Sequence, residues 1–494
     1  MDNYSIAISI IFPFSLLLVN FCLVFFFSNY ISLYWIRQYS YITSIIIFLI
    51  YLIVYKLYLI YYFNFSVNLF IFNWFSFLNI SYSYILDGLS ISFLLLTTFL
   101  FPFCYLISWT NISYKFNWYC LVLVLTEFLL LNFFLVSDLF IFFIFFEAIL
   151  IPIFFLIGIW GSSFRKIYAS YLLFFYTFIS SLFFLSALVL ISTTVGCTNF
   201  TYLQILLPQL ELNAFKQFLC FLLFIPFAVK LPIVPFHTWL PEAHVEAPTS
   251  GSVLLAGILL KLGAYGILRF LIPFFSDTLV YFSPIIYTIA VYSMLHVSVI
   301  IMRQLDLKRI IAYSSIIHMN LALVGLITIN FYSLIGSVYI LISHGLVSSG
   351  LFICVGFLYE RYHQRVILYY KGIITIMPIY GTLFFLFILA NASLPGMSSF
   401  ISELLTLYGI FEYNKALIIL TFISLFLSSI INFIIFNKIM YGQLGWTNIR
   451  FYNDLSYREI FVLLCLLFFV LFLGLYPTPL LNLLQFNILN LLYL

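Results

Sequence analysis

The sequence predicts an all-α polytopic membrane protein of about fourteen transmembrane helices, with two inverted five-helix repeats and with helices 7 and 12 broken. Three observations carry that expectation. The 494 residues are 65% hydrophobic and 7% charged, where a soluble globular chain carries about 25% charged residues. Apolar runs of roughly 20 residues recur from end to end, each long enough to cross ~30 Å of hydrocarbon as a helix. Two of the runs are interrupted by proline, five spans apart, and paired interrupted segments mark inverted repeats in transporters.

In order, the runs place helices at 6–28, 41–62, 86–109, 118–136, 138–158, 168–192, 216–240, 250–272, 279–301, 309–329, 333–357, 373–410, 416–437 and 460–483. Helices 1–3 occupy 1–117, and helices 4–8 (118–272) and 9–13 (273–440) form the repeats. Residues 441–494 hold a loop and helix 14. The polar stretches at 64–84 and 194–213 read as loops. Helix 7 carries Pro232 and Pro235, which cannot donate the backbone hydrogen bonds of a continuous helix. A broken helix survives in lipid only where protein or a water-filled cavity satisfies the freed carbonyls. Helix 12 is too long for one straight span, and Ala-Ser-Leu-Pro-Gly at 392–396 interrupts it.

Basic residues orient the spans. The loops after odd-numbered helices, with their edges, hold Arg37, Lys115, Arg165, Lys166, Arg303, Lys308, Arg309, Arg361, Arg365, Lys371, Lys438, Arg450 and Arg458. The even side holds only Lys56, Lys216, Arg269 and Lys415. Lysine and arginine stay on the cytoplasmic or matrix side, so the odd loops are expected there and both termini outside. A wrong helix count would scramble this asymmetry.

Composition also excludes functions. A net charge of +4 is too small and dispersed for nucleic-acid binding. The seven cysteines have no C-x-x-C spacing, which argues against an iron–sulfur or zinc site and against a disulfide framework. No cleavable signal or Arg/Ser-rich transit peptide is evident. Phe (63) and Tyr (38) are abundant while Gly (20) and Pro (15) are scarce, the bias of A/T-rich codons found in many organellar genomes.

Six ionisable groups fall near mid-depth: Glu147 on helix 5, Lys230 on helix 7, Lys261 on helix 8, His318 on helix 10, His344 on helix 11 and Glu403 on helix 12. A lysine at the centre of a span costs about 2.5–3.5 kcal/mol on insertion scales, so each needs a partner or a purpose. Pairing Glu147 with Lys230 at ~4 Å would supply ~4 kcal/mol at an effective dielectric near 20. Carboxylates, lysines and histidines in sequence are the parts of a proton relay. The plainer readings are a structural Glu–Lys pair and two satisfied core histidines. Glu127 on helix 4 could join the relay or simply bond a neighbour. His296 reads as structural, His237 and His244 as partners of loose carbonyls rather than metal ligands, and Asp138 as a helix N-terminal carboxylate.

Six runs carry a family resemblance: Phe-Phe-Glu-Ala-Ile-Leu-Ile-Pro at 145–152, Ala-Val-Lys-Leu-Pro-Ile-Val-Pro-Phe-His-Thr-Trp-Leu-Pro-Glu-Ala-His at 228–244, Leu-Leu-Lys-Leu-Gly-Ala-Tyr-Gly at 259–266, Asp-Leu-Lys-Arg-Ile-Ile-Ala-Tyr-Ser-Ser-Ile-Ile-His-Met at 306–319, Ser-His-Gly-Leu-Val-Ser-Ser-Gly-Leu-Phe at 343–352 and Phe-Ile-Ser-Glu at 400–403. Over about 86–480 the chain resembles the antiporter-like subunits of respiratory complex I; the first ~80 residues match nothing comparable. The resemblance implies a Glu147–Lys230 pair, Lys261 as the central lysine, His318 and His344 as the connecting relay and Glu403 as the exit-side group. A carboxylate at the last position separates this chain from subunits 2 and 5, which tend to carry lysine there. Ser402 stands where the family usually has glycine.

The resemblance further implies a proton-translocating subunit in the membrane arm of NADH:ubiquinone oxidoreductase, in the mitochondrial inner membrane or, alternatively, a bacterial plasma membrane. It would bind no cofactor itself, and nothing here looks like a Gly-rich dinucleotide loop. NAD, FMN, iron–sulfur clusters and ubiquinone would belong to other subunits. Expected partners are other membrane-arm subunits, especially the antiporter-like subunits 2 and 5, and lipids, not nucleic acid. Rival readings are a subunit of a multi-subunit cation/proton antiporter, a structural membrane-arm spacer and a quinone-binding oxidoreductase.

Overall fold

Proline sets both expected interruptions. The computed structural model describes residues 2–27, 32–61, 67–75, 80–209, 213–443 and 453–492. Helices α1 (Asp2–Phe27) and α2 (Leu33–Tyr61) precede a hairpin of β1 (Val67–Phe75) and β2 (Ile80–Leu86). Then come α3 (Gly88–Asn111), α4 (Phe116–Leu135), α5 (Leu139–Ala148), α6 (Leu150–Trp160), α7 (Lys166–Val195), the short α8 (Phe200–Leu206) and α9 (Ala214–Lys230). Beyond the first break, α10 (Trp239–Glu246) and α11 (Thr249–Leu254) lead into a π-helical turn (Leu255–Leu259), α12 (Leu260–Gly266), a second π-helical turn (Ile267–Leu271) and α13 (Ile272–Arg303). The chain continues through α14 (Leu307–Ile327), α15 (Phe331–Tyr362), α16 (Pro378–Asn391), α17 (Ser398–Tyr413), α18 (Lys415–Met440), α19 (Tyr457–Leu475) and α20 (Thr478–Leu492).

Helix α9 stops at Lys230 because Pro232 disfavours the helical conformation for the residue before it. The twelfth expected span is likewise two helices, α16 and α17, separated by the Pro395–Gly396 turn, where Gly396 takes a positive φ of 95°. Among the described residues, eleven helical stretches are long and apolar enough to cross a membrane. The seventh and twelfth expected spans are absent from that set because each is broken. The 55-residue stretch Thr249–Arg303 covers the eighth and ninth expected spans. It turns at Phe275, whose dihedrals (φ −134°, ψ 34°) are not helical.

Four expectations need correction. The stretch 64–84 contains strands rather than only loop: β1 and β2 pair antiparallel, with Val67 opposite Leu86 and Phe75 opposite Ile80. Ile-Ser-Tyr-Ser-Tyr-Ile alternates apolar and polar residues with period two, which suits a half-buried strand, and Ser137 N–H donates to Ser83 O at 3.0 Å to fasten it. The stretch 194–213 holds α8, whose N-terminus is capped by Asn199 accepting from Thr201 N–H at 3.1 Å. Helix 14 does not run to 483; α19 ends at Leu475 ahead of Pro477, and α20 follows it. The fifth expected span is jogged at Ile149, between α5 and α6, where Pro152 cannot donate back to the Ala148 carbonyl. Arg450 of the charge asymmetry lies outside the described residues.

The chain divides into two compact units: Met1–Lys230 with Leu262–Tyr281 and Asn482–Leu494, and Leu231–Lys261 with Phe282–Leu481. In the first, α4 packs against α1 and α3, and α7 against α6 and α9. Its α3 starts from Asp87, which caps Ser90 N–H at 2.9 Å and forms a buried ion pair with Arg269. In the second, α15 is the central element, touching α14, α16, α17 and α19. Lipid-embedded helices gain little from hydrophobic burial against each other and rely on close packing at small residues. At Gly336 a methyl group would strike the Thr406 backbone, and at Gly409 it would strike Ser333. Those two glycines bring α15 and α17 together, and with them His344 and Glu403.

Candidate functional site

The first unit contains Glu147 and Lys230. Glu147 is the penultimate residue of α5, at the jog, and Lys230 is the last residue of α9, where the negative end of the helix dipole favours a cation. Lys230 is fully buried. Its ammonium donates to the Phe146 carbonyl at 2.8 Å and lies 3.2 Å from the centroid of the Phe146 ring, a cation–π contact in a dry setting. The interruption of α5 thus provides the oxygen that solvates the lysine. Glu147 faces the Ser181 hydroxyl of α7, and its Oε1 has no hydrogen-bond partner. The two charges attract each other across the site but form no contact ion pair among the described residues. The expected ~4 Å pairing is therefore replaced by an open arrangement, because each group has found a nearer backbone or hydroxyl partner.

The second unit holds a series of four buried ionisable groups. Lys261 lies two residues beyond the end of the first π-helical turn, and its ammonium donates to the Ala256 carbonyl, five residues earlier. A π-helical turn displaces carbonyls from the regular α ladder and recurs at functional sites; here it supplies an acceptor for a buried cation. The same nitrogen stands 3.0 Å from His344 Nδ1. The His344 and His318 rings are 5.7 Å apart between centroids. His318 Nδ1 then lies 3.2 Å from Glu403 Oε1, an ion-pair distance without hydrogen-bond alignment. All four side chains are buried. Ser343 and Ser402 meet at 3.2 Å beside them and pin α15 to α17.

Glu403 also lines a cavity of about 360 Å³ together with Asn391, Ser393 and Ser428, at the break between α16 and α17. The cavity is where a carboxyl at the end of the series can meet water. With Lys261 charged, Nδ1 of His344 is an acceptor; with Lys261 neutral, the same bond reverses its donor. A bond with two such states is one along which a proton can be passed.

Other groups behave as local structure. Asp138 accepts from Phe140 N–H at 2.9 Å and from Thr198 Oγ at 3.0 Å, and so caps α5 as expected. Burial pushes its carboxyl up, against the pull of those donors. His237 keeps a bond to the Pro235 backbone. His244 departs from expectation: neither ring nitrogen has a hydrogen-bond partner, and the ring stacks on Phe352 at 4.7 Å. His296 stacks on Tyr292 at 5.5 Å. Among the described residues, no three His, Cys, Asp or Glu side chains cluster to hold a metal ion. Spacing alone did not point to the Phe146 and Ala256 carbonyls, and no residue type in the sequence signals either one.

Known proteins resemble this chain in sequence and in fold. Residues 136–428 match the family described as NADH:quinone oxidoreductase/Mrp antiporter, TM. NADH-ubiquinone oxidoreductase chain 4 of Chondrus crispus is 44% identical over 424 residues, 86% of this chain and 85% of that protein. The protein of the same name from Arabidopsis thaliana is 44% identical over 85% of this chain and 84% of its own length. Among solved structures, a chain of respiratory complex I from Thermus thermophilus superposes with a TM-score of 0.84 at 25% identity, covering 99% of both chains. A chain of the Mrp complex from Dietzia sp. shares the fold with a TM-score of 0.87 at 18% identity, covering 99% of this chain and 97% of that one. A family match across the site and 44% identity over 86% of the chain leave one conclusion: the chain belongs to the NADH:quinone oxidoreductase/Mrp antiporter transmembrane family.

Proposed function

We propose that this chain is the chain 4 counterpart in the membrane arm of NADH:ubiquinone oxidoreductase and moves protons through Lys261, His344, His318 and Glu403. The observation that carries the reading is the 3.0 Å bond from Lys261 Nζ to His344 Nδ1 together with the 3.2 Å His318–Glu403 contact. Lys261 gives its proton to His344 Nδ1, and the ring releases one from Nε2 toward His318. His318 protonates Glu403, which discharges into the cavity at the α16–α17 break. The Glu147–Lys230 pair acts as the loading switch: when it is open, Lys230 loses the attraction that favours its charged form. The driving energy comes from redox chemistry elsewhere, at ~2.3 kcal/mol per proton per 100 mV.

The repeats 118–272 and 273–440 would each contribute one half of this path. The chain would hold no redox centre; NAD, FMN, iron–sulfur clusters and ubiquinone would sit in other subunits. Its neighbours would include the antiporter-like subunits 2 and 5 and lipid, in a mitochondrial inner membrane, with the gene in the organelle. The shared fold with an Mrp complex chain keeps a cation/proton antiporter subunit as the second reading. A native gel of membrane extract separates the two. Co-migration with NADH dehydrogenase activity, plus loss of proton pumping in Lys261→Ala, supports the complex I reading; migration without that activity sinks it.

A further inference from the structure

Outside the series described above, Glu127 of the first unit is buried with neither a cation nor a capping backbone N–H beside it among the described residues. Glu127 lies in α4, eight residues before its Leu135 end, or about 12 Å along the helix. It is 1% exposed, and its Oε1 has no hydrogen-bond partner. Its electrostatic neighbours are Tyr51 of α2 and Cys104 and Tyr105 of α3. The Tyr51 and Tyr105 hydroxyls are equally buried and equally without partners. Three unpartnered buried oxygens on electrostatically interacting side chains suit a buried water, which typically makes two to four hydrogen bonds.

The same cluster leads to a cavity. Tyr51 has Tyr84 of β2 as an electrostatic neighbour. Tyr84 donates to Asn132 Oδ1 at 2.5 Å, and Tyr82 donates to the same oxygen at 2.9 Å. Tyr84 also lines a cavity of about 740 Å³ with Asn68, Ser83, Ser137, Asn199 and Thr201. These residues join spans 2 to 3, 4 to 5 and 6 to 7, the even connections that the basic-residue asymmetry puts on the outer side. The hairpin therefore contributes Asn68, Ser83 and Tyr84 to a polar vestibule, and Tyr84 interacts electrostatically with Tyr51, as Tyr51 does with Glu127.

We propose that the cavity beneath the hairpin, with Tyr84, Tyr51 and Glu127, is a hydrated branch through which Glu127 exchanges protons with the outer side. The branch rests on the reading that this chain moves protons, and it is separate from the Lys261–Glu403 series. In each step a water or hydroxyl oxygen takes one proton and gives up another. No tyrosinate is left behind, and only Glu127 changes charge. The Tyr84 oxygen accepts from the water beside Tyr51, while its own proton turns from Asn132 toward the vestibule.

The test reads Glu127 directly in the intact complex, by infrared spectroscopy of membranes without turnover. A protonated-carboxyl C=O band that disappears in Glu127→Gln assigns the group. Its hydrogen–deuterium exchange should slow about tenfold or more in Tyr51→Phe, a barrier increase of about 1.4 kcal/mol or more. Tyr84→Phe, nearer the surface, provides a second variant should Tyr51→Phe fail to assemble. Native Cys197 lines the vestibule, so a membrane-impermeant thiol reagent added from outside should also slow exchange, and should lose that effect in Cys197→Ser. No band lost in Glu127→Gln, or wild-type exchange in both tyrosine variants, overturns the branch. Normal pumping by Lys261→Arg would instead overturn the main relay and leave this measurement standing.

Discussion

The Lys261 ammonium nitrogen stands 3.0 Å from His344 Nδ1, so a lysine within one unit's helices shares a hydrogen bond with an imidazole on α15. Fixed charge alone would not need that geometry, because the Ala256 carbonyl already solvates the cation. On the proposed path a proton crosses this bond.

Lys261→Arg should therefore abolish pumping in an assembled complex, since guanidinium cannot release a proton near neutral pH. Loss of general acid–base transfer costs roughly 10²-fold or more in rate. Protons pumped per NADH oxidised in membrane vesicles decide it; a normal ratio would mean that the position supplies only charge.

Glu147→Gln and Lys230→Ala should leave the complex assembled and strongly reduce coupled turnover. Gln retains the contact with Ser181, so any loss in that variant reports charge rather than packing. Lys230→Ala also strands the Phe146 carbonyl, an unmet buried acceptor worth about 1–3 kcal/mol. That variant should accordingly show a lower melting temperature as well. Full pumping by an assembled Glu147→Gln complex would sink the switch.

The buried Asp87–Arg269 pair is a stability prediction. Asp87 caps α3, and Arg269 reaches it from the second π-helical turn. Removing one partner of a buried pair costs about 3–5 kcal/mol. Arg269→Leu should thus lower the thermal stability of the extracted complex. Asp87→Asn combined with Arg269→Leu should cost less than the two single changes added together. Strict additivity would show that the contact carries no coupling.

The sequence showed much of this wherever covalent chemistry dictates backbone shape. Pro232 and Pro395 announced both breaks because a missing N–H cannot be compensated locally. Pro477 carries the same message about the end of α19, although it sits inside a long apolar run. The hairpin was legible too, in the alternation of Ser81, Tyr82, Ser83 and Tyr84, but its asparagines and serines resemble loop residues. The π-helical turns around Lys261 were not legible, because no residue type requires them. Nor was the open Glu147–Lys230 arrangement: spacing puts long side chains at similar depth but does not select their rotamers.

Glu403 provides the last prediction. It lies beyond the Pro395–Gly396 turn, 3.2 Å from His318, and it opens onto the 360 Å³ cavity at the break. On this path it accepts a proton from the imidazole and releases it to the cavity, so it must alternate between charged and neutral forms. Glu403→Gln keeps size and hydrogen bonding but cannot alternate, and should block release with the fold intact. Glu403→Asp should retain partial activity, because the shorter arm draws the carboxyl back by about 1.5 Å from His318, and misplacement of about 1 Å can cost 10²-fold. Glu403→Lys keeps a group that can carry and lose a proton, but it sets a cation against His318 in place of an anion, so it should pump more slowly than wild type yet better than Glu403→Gln. Pumped protons per NADH, with assembly checked on the same membranes, rank the three variants. If Glu403→Gln pumps at the normal ratio, the proton leaves His318 by another route, and the cavity at the helix break is only a consequence of Pro395.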